Sequence, residues 1–179
     1  EEDLTKMTNS IKHRGPDADG LYFDLKKGVG LGHRRLSIID LSSGANQPMT
    51  SHCGRYIMVY NGEVYNFKEI TKKINTDNWK TNSDSEVILE AFVKWGVDFV
   101  NELNGMFAIA IYDLKKNKLF LFRDRMGIKP MYYYKHGKDL IFASELKAIK
   151  QLKKNKRLNY SSIYEYLHLG YVPKNQTFY

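Results

Sequence analysis

Tyr56-Ile-Met-Val-Tyr-Asn-Gly-Glu-Val-Tyr-Asn66 is the stretch whose reading decides the fold. Its first five residues, Tyr56–Tyr60, are apolar or aromatic without a break, the pattern of a strand buried on both faces. That strand ends by placing the side-chain amide of Asn61 beside the backbone N–H of Gly62. Two donors so placed converge on one oxygen, which is what an acyl-transfer oxyanion requires. Taken bare, Asn-Gly is also the commonest tight-turn dipeptide, stabilised by an Asx hydrogen bond. Directly after it, Asn66-Phe-Lys-Glu69 has capping-box spacing and predicts a helix through about Ile74.

Working outward, Leu4, Met7 and Ile11 recur at helical spacing, so the chain opens on an amphipathic helix that ends before Gly15-Pro16. Leu21–Leu25 and Val29–Ile39 read as strands, the second running straight into a loop at Asp40. Ser83-Asp-Ser-Glu86 is a stronger capping box, opening a helix with Val87, Ile88, Ala91, Phe92 and Trp95 on its apolar face. Beyond it, Met106–Tyr112, Lys118–Arg123, Met131–Lys135 and Leu140–Ala143 read as strands joined by short polar turns. Glu145–Leu152 and Ser161–His168 read as helices. Hairpins on both sides of intervening helices argue for antiparallel sheets in an α+β domain. There is no internal repeat and no low-complexity segment.

With 179 residues, 42% of them hydrophobic, the chain has enough apolar surface for one sizeable core. A single cysteine excludes an internal disulfide framework and suits a reducing compartment. No apolar run reaches the roughly 18 residues of a membrane helix, and no leader pattern opens the chain, so the expectation is a cytoplasmic protein without a membrane partner. The net charge of +8 raises the question of nucleic acid. The lysines fall at a hairpin tip, Lys115–Lys118, and along Lys147, Lys150 and Lys153–Arg157, with no aromatic residues interleaved. That is the pattern of solvated faces, and no nucleic-acid partner is expected. Asp, Glu and His show no metal-ligand spacing; His33 and His52 stand alone.

Eight segments occur in order: His13-Arg-Gly-Pro-Asp17, Gly32-His-Arg-Arg-Leu-Ser-Ile-Ile-Asp40, Gln47-Pro48, Tyr60-Asn-Gly-Glu63, Ser83-Asp-Ser-Glu86, Leu103-Asn-Gly-Met-Phe-Ala108, Arg123-Asp-Arg-Met-Gly-Ile-Lys-Pro130 and Phe142-Ala-Ser-Glu145. The set closely resembles the glutamine-hydrolysing domain of asparagine synthetases, a class II glutamine amidotransferase and N-terminal-nucleophile hydrolase. The resemblance covers essentially the whole chain. It implies a four-layer αββα sandwich of two antiparallel sheets flanked by helices, with the N-terminal strand missing. It also implies that residues 1–158 form the glutaminase domain and 159–179 begin the connection into an ATP-dependent synthetase domain.

Site roles follow from the same resemblance. The Asn61 amide and the Gly62 N–H match the oxyanion hole, and a β-carbon at 62 would crowd a substrate. Arg35 matches the arginine that grips the glutamine α-carboxylate, a task suited to a planar guanidinium. Backbone groups of Leu36, Ser37, Ile38 and Ile39 line the same pocket in the family. Asp84 matches the aspartate that binds the α-ammonium, although an acidic residue in a first helical turn also serves the macrodipole. Glu63 adds a polar contact, and Arg14 supports the nucleophile loop. Arg35, Asp84 and Asn61 are therefore expected to converge on one cleft. Arg123-Asp-Arg125 and Lys129-Pro130 read as structural.

The family's nucleophile is an N-terminal cysteine followed by Gly-Ile, whose own α-amino group is the base. This chain opens Glu1-Glu-Asp-Leu4, and its one cysteine, Cys53, sits in a turn as a partly buried free thiol. The expectation is an enzyme in the intact parent and no activity in these residues alone. No Ser-Gly-Gly-x-Asp-Ser pyrophosphate loop occurs, so ATP and Mg belong to the absent synthetase domain and no cofactor is expected here. The implied activity is release of ammonia from glutamine for ATP-dependent amidation of aspartate in asparagine biosynthesis, and the resemblance leaves room for a homodimer. Two alternatives stay open: amidation of a carboxylated sugar in surface polysaccharide synthesis, and a non-catalytic glutamine-binding or docking domain.

Overall fold

The computed structural model describes residues 1–38, 40–152, 157–173 and 176–179. The chain begins with helix α1 (Glu2–Ser10), followed by a short 3-10 turn at Lys12–Arg14. Strands β1 (Ala18–Asp24) and β2 (Val29–Arg35) form an antiparallel hairpin that runs in register from Ala18↔Arg35 to Asp24↔Val29. Then come β3 (Met49–Thr50), β4 (Tyr56–Val64), α2 (Phe67–Ile74) and α3 (Asp84–Trp95). The second half contains β5 (Gly105–Asp113), β6 (Lys118–Arg123), β7 (Tyr132–His136), β8 (Asp139–Ala143), α4 (Leu146–Leu152) and α5 (Tyr160–Leu169).

Four layers result, as an α+β sandwich. The central sheet has the order β3-β4-β5-β6, and the β1-β2 and β7-β8 hairpins form two further two-stranded sheets. Helices α1 and α4 pack on each other and reach down onto β2 and the β7-β8 hairpin, while β2 lies against β4. On the other side α3 packs on β4 and against α2. The main core lies under α3, where Phe92 meets Phe99, Phe120 and Phe122 at ring separations of 5.4–6.1 Å. Tilted and edge-on rings of this kind contribute beyond the area they bury. A smaller core of Leu31, Ile57, Val59, Ala110 and Tyr112 joins β2 to the central sheet.

Several expectations need correcting. The strand from Val29 ends at Arg35 and does not run to Ile39. Its partner β1 begins only at Ala18, and Asp17 just before it holds the chain leaving β2: its N–H donates to the Arg35 carbonyl at 3.1 Å and its Oδ2 accepts from Ser37 N–H at 2.8 Å. Ile39 itself lies outside the described residues, as do Lys153–Lys156 of the basic stretch. Asn61-Gly62 is no turn and does not end its strand; β4 continues to Val64, opposite Gly105. Asn66 precedes α2 without capping it, because its amide donates to the Glu102 carbonyl and its Oδ1 accepts from Asn104 N–H. Ser83 does cap α3, accepting from Glu86 N–H, but the Glu86 carboxylate turns to Lys80, Thr81 and His52 instead of reaching back. Cys53 is exposed, not partly buried. The Arg123–Pro130 turn is structural as read: buried Asp124 accepts from the N–H groups of Phe107, Ile128 and Lys129.

Candidate active site

The site is organised around one edge of β4. In a strand, backbone N–H and C=O groups alternate from side to side. Phe107, opposite Gly62, bonds Asp124 on the β6 side, so Met106 and Ala108 serve β4 and bond Glu63 and Asn61. Tyr60, Gly62 and Val64 therefore point their backbone groups away from β5, along the edge that β3 covers only as far as Met58. Side chains from elsewhere fill most of that edge. Gln47 Oε1 accepts from Tyr60 N–H at 2.6 Å, His33 Nε2 donates to the Tyr60 carbonyl at 3.1 Å, and Asp84 Oδ2 accepts from Val64 N–H at 3.1 Å. Between them, no described residue accepts from the Gly62 N–H.

Asn61 lies beside it with its amide nitrogen sealed from solvent and without a partner. A buried donor left unpaired is costly and needs a reason. The residue borders a cavity of about 450 Å³ flanked by β2 and β8 and roofed by α1 and α4, lined by Leu31, Val59, Ala110, Phe142 and His33 among others. Glycine at 62 is demanded by its protein surroundings as well. A Cβ there would strike the Met106 carbonyl, the Tyr60 ring and the Phe107 Cα, so the crowding comes from β5 and Tyr60.

Asp84 is brought to this same edge. It occupies the first turn of α3, 6% exposed, with Oδ2 held by the Tyr60 hydroxyl at 2.8 Å as well as by Val64. Burial pushes its carboxyl upward, against those bonds, and the neighbouring Glu63 charge adds to the rise. A cation placed there would favour the ionised form. Burial and Asp84 together push the Tyr60 phenol upward too.

Arg35 ends β2 two residues after His33, on the same face. It is 9% exposed, and its guanidinium donates to the carbonyls of Asp40 and Ser42 and to Asn46 Oδ1. Ser37 is held by Asp17, whereas the side chains of Leu36 and Ile38 face solvent. Glu63 is exposed on β4. Arg14 borders the cavity and bonds Glu145 at 3.2 Å.

The residues that join these parts carried no individual role in the sequence reading. His33 was set aside as a lone polar residue; its Nε2 is satisfied, but its Nδ1 is buried without a partner, and burial lowers its pKa to about 4. Gln47 and Asp40 stood in quoted motifs without a function. Period-two spacing of His33 and Arg35 on one strand was the available signal; for Gln47 and Asp40 there was none. His52, by contrast, is satisfied as read, bonding Glu86 Oε1 at 2.6 Å. Cys53 precedes β4 at its Tyr56 end, so roughly 17 Å of strand separates it from Asn61.

A sequence model described as glutamine amidotransferase domain matches residues 1–179, and the chain belongs to that family. Among its relatives is a putative asparagine synthetase (glutamine-hydrolyzing) 2 of Methanocaldococcus jannaschii, 41% identical over 99% of this chain and 38% of that protein. Asparagine synthetase (glutamine-hydrolyzing) 2 of Bacillus subtilis is 45% identical over 82% of the chain and 19% of its own length. A protein of Gibberella zeae named amidase chry2 is 40% identical over 82% of the chain and 22% of its length. The chain thus spans less than two fifths of the length of these relatives.

Proposed function

We propose that this domain hydrolyses glutamine to glutamate and ammonia, and that the ammonia is used by a further part of a longer protein for ATP- and Mg-dependent amidation, with aspartate as acceptor. The observation that carries this reading is the unpaired, buried amide of Asn61 next to the Gly62 N–H on an otherwise occupied strand edge. Such donors stabilise the oxyanion of a tetrahedral intermediate. Asp84 on the same edge suits the substrate ammonium, and Arg35 suits its carboxylate.

Cys53 is too far along β4 to serve as nucleophile. A preceding strand with an N-terminal cysteine, as the family resemblance implies, suits the apolar cavity beside Asn61. On this reading residues 1–179 alone form no thioester. The acceptor is chosen outside this domain. In the full-length protein, Asn61→Ala is expected to lower glutamine-driven turnover by roughly 10²–10³-fold while ammonia-driven synthesis survives. Equal loss of both activities, or full retention of the first, would refute the oxyanion assignment.

A further inference from the structure

Arg35 and Asp84 stand on different elements, at the end of β2 and the start of α3, and glutamine holds its two charged groups on one carbon. A pocket for that head group needs the two anchors at a set separation. Neither anchor controls this alone. The Arg35 guanidinium follows the loop of residues 40–46, since it donates to the carbonyls of Asp40 and Ser42 and to Asn46 Oδ1 at 2.7 Å. The Asp84 carboxylate follows α3.

One side chain bonds both bodies. Asp40 Oδ1 accepts from Ser42 N–H at 2.7 Å, within the arginine loop, and its Oδ2 accepts from Asn82 N–H at 2.9 Å, two residues before Asp84. The Ser42 hydroxyl first, and then these two N–H groups, hold the Asp40 carboxyl below its ordinary value. The Asn82 end is itself anchored to α3. Glu86 accepts from Lys80 N–H at 2.9 Å and from Thr81 N–H and hydroxyl at 2.7 Å each, so the approach to the helix moves with it.

We propose that Asp40 is a positioning residue of the glutamine pocket, joining the Arg35 loop to the start of α3 so that the two head-group anchors keep one spacing. The proposal rests on the glutaminase reading above. Asp40 touches no substrate in it and acts through Arg35 and Asp84. A bond from a charged group is commonly worth a factor of about ten or more.

The test uses the full-length protein. Asp40→Ala is expected to raise KM for glutamine about tenfold with kcat within about threefold, the mark of lost ground-state binding. Asp40→Asn retains one acceptor oxygen and should raise KM less. Combined with Asp84→Asn, the effect of Asp40→Ala should be less than additive, because both act on one separation. Ammonia-driven synthesis should be unmoved by Asp40→Ala. Unchanged KM in both Asp40 variants, or full additivity with Asp84→Asn, would overturn the proposal. Should Asp40→Ala fail to fold, Asp40→Asn decides by the same measures. Wild-type protein without glutamine-driven activity removes the glutaminase reading and this inference together; an active wild type beside an unaffected Asp40→Ala removes the inference alone.

Discussion

At the scale of single residues, Arg35 shows how much of a charged side chain's work is internal. Three of its donors are already used on the loop it precedes, which fixes the guanidinium plane before any ligand arrives. Lysine would keep the charge and lose that fork. Arg35→Lys in the full-length protein is therefore expected to raise KM for glutamine by about tenfold or more, measured by steady-state glutaminase kinetics. An unchanged KM would mean that Arg35 only braces residues 40–46. Arg35, Asn61 and Asp84 stood out as candidates in sequence through the motifs around them. The bonds that organise them were not, because Gln47, His33 and Asp40 find their partners 13, 27 and 42 residues away.

Among the elements, capping-box spacing occurs twice and caps only once. Ser83 meets its helix because the residues before it are clamped by Glu86; Asn66 is drawn away by the 102–104 loop. Local spacing cannot distinguish these cases, since the competing partner comes from a distant segment. Strand boundaries failed for a related reason. Asn61-Gly62 has turn composition, but β5 pairs across it, and Gly105 opposite Val64 lets the two backbones approach. The close fit predicts a cost. Gly62→Ala would force its Cβ into β5, and overpacking of this kind destabilises by about 1–3 kcal/mol. Urea unfolding of the purified domain should show the shift in midpoint; an unshifted midpoint would mean that β4 and β5 separate here easily. The α+β class itself was legible, since runs such as Lys118–Leu119–Phe120–Leu121–Phe122–Arg123 leave little choice but strand, and β6 has those bounds; the layering came only from the family resemblance.

For the molecule as a whole, the buried His33 links stability to pH. Its pKa falls from an ordinary 6.5 to about 4 on folding, so between those values the unfolded chain binds a proton that the folded one refuses. Stability is complete above about pH 6.5 and declines as pH falls towards 4, by about 3 kcal/mol in all from this group. Comparing wild type with His33→Gln between pH 7 and 5 isolates it, since the other titrating groups are common to both. A parallel decline in the two proteins would exclude His33 as the source. The occupied edge of β4 has a consequence for how this protein coexists with its copies. An uncovered strand edge is a template on which another chain can grow a sheet. Here the places of a fifth strand are taken by a glutamine, a histidine and an aspartate from three separate parts of the chain. They cap the ladder group by group, leaving a gap one glycine wide, too narrow to recruit a foreign strand and wide enough to admit one small polar atom.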